Sequence, residues 1–159
     1  MYLNSVAKAV RHSWTDGASR SEENLINWPH ILLAFICSAV VTSLTDWYFF
    51  GVLFHGRYAK TPAVWRTYRD KSDEYRSIGM SQALLAVSSL VFILVCSGLG
   101  LVSTKSALLA AVTVWVMIPV PLIATNAIFI PMDRLIVVSH SLGWLARLLV
   151  TALFVSWFL

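Results

Sequence analysis

The sequence predicts an all-α integral membrane protein, an antiparallel bundle of four transmembrane helices. Two observations predict it. The chain is 58% hydrophobic and only 13% charged, whereas soluble domains run at about 25% charged. And its apolar residues are gathered into four runs, each long enough to cross the hydrocarbon core, which takes about 20 residues in a helix. Mean hydropathy is +0.72. Strands are excluded, because none of the four runs alternates apolar and polar residues as a membrane barrel strand does.

Residues 1–27 differ in composition and form a separate N-terminal segment. Leu3, Val6, Val10 and Trp14 recur at helical spacing, with Lys8, Arg11 and His12 elsewhere on the wheel. The segment reads as an amphipathic helix in the interface or as a flexible tail. With Glu22 and Glu23 ahead of the first apolar run, it is a poor secretory signal. Residues 28–159 are the transmembrane domain.

The first span is predicted over Ile31–Phe54 and contains Asp46. A carboxylate near the middle of the bilayer costs about 2.5 kcal/mol or more, so such residues find partners or water and mark function. Ala34, Ser38, Thr42 and Asp46 fall at intervals of four. They form one stripe of small and polar residues suited to close helix contact. Residues 55–77 are the main hydrophilic loop. It holds Arg57, Lys60, Arg66, Arg69, Lys71 and Arg76 against Asp70, Asp73 and Glu74.

The second span is predicted over Ser81–Val102, opening on Gln82, and the third over Ala107–Ile130. The connection around Lys105 is short, which predicts a tight hairpin. Cys96 with Gly100, and Ala107 with Ala111, are further small-residue pairs. Pro119 and Pro121 predict a kink, because proline lacks the backbone donor and clashes one turn back. Asn126 lies on the face of Pro119. The fourth span lies between Leu135 and Leu159, with its start unsettled, and contains Arg147. A start near Leu135 places Arg147 at mid-membrane. A start near Leu142 lets it snorkel to the headgroups.

Alternating direction brings Asp46, Gln82, Asn126 and Arg147 to one side of the bilayer, with His55, His140, Asp133 and Arg134 at the helix ends. This is the candidate polar pocket, and an Asp46–Arg147 pair is its most economical arrangement. His55 and His140 could join a proton relay, but no metal motif such as HxxxH or HExxH is present, so no metal is expected. Cys37 and Cys96 read as buried small hydrophobes rather than a disulfide. No P-loop, nucleophile elbow or dinucleotide fingerprint occurs, so no cofactor is expected. Nucleic acid is set aside, since the basic residues carry no interleaved aromatics. The partners expected are the lipid bilayer and a homo-oligomer or membrane complex. Basic residues cluster in the loops after spans one and three, which favours those loops in the cytoplasm and both termini outside.

The segment Asp46 to Arg57 resembles the end of helix one in a family of small bacterial four-helix membrane proteins, domain-of-unknown-function family seventeen-sixty-one. Trp47, Tyr48, Leu53, Phe54, Gly56 and Arg57 carry the match, with Trp115, Pro119 and Asn126 in helix three and Trp157 in the closing helix. The resemblance covers residues 28–159. It implies the fold and a multi-pass location in the bacterial cytoplasmic membrane, and it implies no reaction. The family has a small residue where Asp46 stands and an uncharged one at Arg147.

The sequence therefore reads as a small membrane protein of unknown activity that binds or passes a small solute or proton through a polar intramembrane pocket. The alternatives are a non-catalytic helix-packing subunit and a small oxygenase- or cyclase-like membrane enzyme. The last of these would use Asp46, His55 and His140 as acid–base groups, and Asn126 in helix three resembles anthrone-oxygenase-like proteins.

Overall fold

The computed structural model describes residues 27–54, 56 and 68–159. The N-terminal segment and most of the first loop lie outside them, as does His55. Four helical spans are long and apolar enough to cross a membrane: Trp28–Leu53, Lys71–Gly98, Thr104–Phe129 and Arg134–Phe158. Among the described residues there is no strand.

Helix α1 covers Trp28–Asp46. Pro29 is tolerated because it sits in the first turn, where its missing donor has no intrahelical partner. The Asn27 side chain accepts from the His30 backbone N–H at 3.5 Å. Directly after Asp46 the chain widens into a π-helix over Trp47–Leu53, closed by Phe54 N–H donating to the Phe49 carbonyl.

Helix α2 covers Lys71–Gly98 and starts about ten residues before the apolar run does. Asp70 caps it by accepting from Asp73 N–H at 2.9 Å, and Asp73 and Glu74 sit in the first turn, where carboxylates favour the positive end of the helix. The early turns are polar yet helical, so Gln82 stands well inside α2 rather than at its start. Its end is a Schellman turn. Leu101 N–H reaches the Cys96 carbonyl, Gly100 N–H reaches Ser97, and Gly100 takes φ 67°. Gly100 therefore terminates the helix, and only Cys96 of that pair is buried.

Ser103 caps α3, Thr104–Met117, through Ser106 N–H at 3.2 Å. The third span breaks at Ile118, whose φ −120° and ψ −67° leave the helical region, and restarts as α4, Pro119–Phe129. The proline expectation takes the form of a stop and restart, with Pro119 in the first position of the new helix. Asp133 caps α5, Arg134–Phe158, by accepting from Leu135 N–H at 2.7 Å. The fourth span thus takes the longer of its two options, and Arg147 stands near its middle.

Packing centres on α5, which touches α1, α2, α3, α4 and the π-helix. Its most apolar window is 39% buried, against 17% for the second and third spans. The short turn at Leu99–Ser103 does not produce a tight hairpin. Helices α2 and α3 pack on α5 rather than along each other.

The main seam is between α1 and α5. Ala34, Ser38, Thr42 and Asp46 are all buried, as are Gly143, Arg147, Thr151 and Val155 of α5. The Asp46–Arg147 contact and the Phe50–Gly143 contact set the register. One turn forward along α1 matches one turn back along α5, as an antiparallel pair requires. Trp28 and Phe158 therefore lie on one side of the bundle, and Asp70 lies on the other. A reporter fused after Leu159 and one inserted at Asp70 should register opposite compartments. Finding both in one compartment would show the four-span topology to be wrong.

Candidate functional site

Asp46 is 5% exposed and Arg147 3% exposed. Asp46 ends α1 about 10 Å before the span does, at 1.5 Å per residue. Both side chains are buried within the bundle, so each charge needs a partner within the protein. The Arg147 guanidinium donates through Nη2 to Asp46 Oδ2.

Gln82 of α2 joins them. It lines the same cavity as Asp46 and Arg147, and its Oε1 accepts from Ser43 Oγ at 3.4 Å. Three helices therefore meet around Asp46. Below it the seam is closed by hydroxyls that bond within their own helices. Ser38 donates to the Phe35 carbonyl, Thr42 to Ala39, and Thr151 to Arg147.

Above the pair, toward the Asp70 side, lies a half-open cavity of about 930 Å³. Asp46, Gln82 and Arg147 form its polar floor. Trp47, Phe50 and Gly51 of the π-helix, and Gly143 and Trp144 of α5, form two walls. Ser77, Ser81 and Leu85 of α2 form a third, with Glu74 and Tyr68 toward the mouth. His140 lines the cavity and stacks on Phe50, ring centroids 4.9 Å apart. Gly143 makes room for that ring. A Cβ there would stand 3.0 Å from Phe50 Cζ.

Of the residues expected to share a pocket, Asp46, Gln82, His140 and Arg147 are together. Asn126 is not. It is exposed on α4 and absent from the cavity wall. It shares a face with Pro119, but only Pro119 of that helix is buried, so the face is uncovered where Asn126 sits. Asp133 serves as a helix cap rather than a pocket residue. His55 lies outside the described residues.

Sequence reasoning passed over Ser43, Phe50, Glu74, Gly143 and Trp144. Gly143 stands one turn before Arg147 and was the available signal, since a glycine beside an intramembrane charge permits close approach. Among the described residues no group of three or more His, Cys, Asp or Glu side chains could hold a metal ion.

No family model matches the chain, and neither does any curated protein or solved structure.

The pair can be tested by charge removal. Asp46→Asn and Arg147→Gln should each destabilise the protein in detergent by about 3–5 kcal/mol, because each leaves a buried charge alone. The double variant should regain most of the loss. Thermal unfolding of the three proteins decides it, and purely additive losses would place the two residues in separate environments.

Proposed function

We propose that this membrane protein binds a small solute in the cavity above the Asp46–Arg147 pair. One observation carries the reading. A roomy, half-open cavity with a polar floor reaches down to two charged side chains within the span. Intramembrane ionisable residues face partners or water-filled cavities and mark substrate or proton pathways, and here they do both. Pockets of this size with a few convergent polar groups are the usual form of small-molecule sites. The closed hydroxyl seam beneath argues for a binding site with one mouth rather than an open channel. The basic residues of the loops on that side support a cytoplasmic mouth. Kinship with family seventeen-sixty-one belongs to the same proposal and adds a membrane location without an activity.

The test is access from water. With Cys37 and Cys96 replaced by alanine, Ser43→Cys and Ser77→Cys should react with a membrane-impermeant thiol reagent applied to the Asp70 side of reconstituted vesicles. Val95→Cys, exposed on the apolar surface of α2, should not. Unreactive cavity cysteines would sink the reading.

The packing-subunit alternative draws support from the low burial of the second and third spans, 17% of each apolar window, faces that a partner chain as well as lipid can cover. Crosslinking in native membranes separates the two. A discrete oligomer band is expected of the subunit, and monomer alone would exclude a homo-oligomer.

A further inference from the structure

The chemistry of the cavity wall narrows the class of solute, on the footing that the cavity binds one. Among the described residues four aromatic side chains line it: Trp47, Phe50, Tyr68 and Trp144. Aromatic faces carry a negative quadrupole and attract cations within about 6 Å of the ring centroid, indole most strongly. Phe50 is held in place by its stack on His140.

The charges point the same way. Among the described lining residues the ionised side chains are Asp46, Arg147 and Glu74, with histidine counted as neutral. Arg147 is the cation of the set, and its charge is met by Asp46. What remains is the negative charge of Glu74, exposed in the first turn of α2. Within the described wall an anion finds Glu74 and must break a buried pair to reach a guanidinium. A neutral solute gains nothing from the carboxylate. A bare metal ion is held best by converging carboxylates, histidines or thiolates, and no group of three or more such side chains comes together among the described residues. The occupant that uses both the rings and the carboxylate is an organic cation with apolar substituents.

We infer that the cavity is a binding site for a substituted ammonium ion, taken between Trp47 and Trp144 with Glu74 as its counter-charge. The Asp46–Arg147 pair keeps the floor neutral, so that the Arg147 guanidinium does not repel the ligand.

Titration calorimetry on the full chain in detergent tests this with three probes of similar bulk. They are tetraethylammonium, the carboxylate pivalate and the neutral neopentyl alcohol. Tetraethylammonium should bind at least about tenfold more tightly than the other two, a factor in the range that desolvated cation–π contacts supply. Glu74→Gln should weaken it about fivefold or more with the unfolding temperature retained. Trp144→Phe should weaken it too, and neither change should alter pivalate binding. Equal or tighter binding of pivalate or the alcohol would overturn the cation assignment and leave a solute site in place. Binding of no probe by a protein whose cavity cysteines still label would overturn the cation assignment while access from water stands. Nanodiscs of phosphatidylglycerol and of phosphatidylcholine then separate the sources of the ammonium group. Tetraethylammonium binding lost only in the choline lipid places the natural ligand on a headgroup. Equal binding in both makes it a free solute, and either result supports the site.

Discussion

The contact between Asp46 and Arg147 is the constraint on which the rest of the bundle depends. Within the hydrocarbon core an unpaired carboxylate and an unpaired guanidinium would each be costly. Together they fix which faces of α1 and α5 must meet, Asp46 from the end of its buried stripe and Arg147 from within its own. Lipid gives helices no hydrophobic reason to associate. The seam is therefore selective because of its one ion pair and close because of its small residues. Once α5 is committed to α1 by this contact, its other faces remain for α2, α3 and α4, and it becomes the helix on which the others pack.

The pair also explains where the cavity lies. Below Asp46 the seam is filled by Ala34, Ser38 and Thr42 against Thr151 and Val155, all buried. Above it the π-helix begins, and the small residues give way to Trp47 and Phe50. A π turn carries extra residues per turn and so re-aims the side chains that follow. The ring of Phe50 enters the space left by Gly143, and the remaining volume between α1, α2 and α5 stays open. Closed seam and open cavity are consecutive parts of one interface, separated by the charged residues.

Much of this was legible in the residues. Four apolar runs gave four spans, and the four-residue spacing of Ala34, Ser38, Thr42 and Asp46 named the face that is buried. The opposite charges at matched depth named the pair. What was not legible has physical reasons. Helix α2 begins at Lys71 because Asp70 caps it, and capping is independent of hydropathy, whereas the apolar run starts only near Ser81. The π-helix has no signature in residue spacing. The contact of Trp115 Nε1 with the Ser141 carbonyl, 2.8 Å across α3 and α5, depends on a docking that periodicity does not specify. Asn126 shares a face with Pro119, but facing inward also needs a neighbour at that depth, and among the described residues the far end of α4 is exposed. Glu74 was read as loop charge because the helix beneath it was invisible to a hydropathy scale.

The hub of the bundle is also the fourth span in the order of synthesis. Asp46 and Arg147 are separated by 101 positions, so a growing chain presents Asp46 to the bilayer long before its partner exists. During that interval the first span carries a carboxylate without its guanidinium partner. The second span can already dock on the first, since α1 and α2 are in contact, whereas the third has its main surface on α5. Completion of the bundle therefore waits for the fourth span, and the nascent chain gains from any insertase or chaperone that shelters a polar membrane helix until translation has passed Arg147.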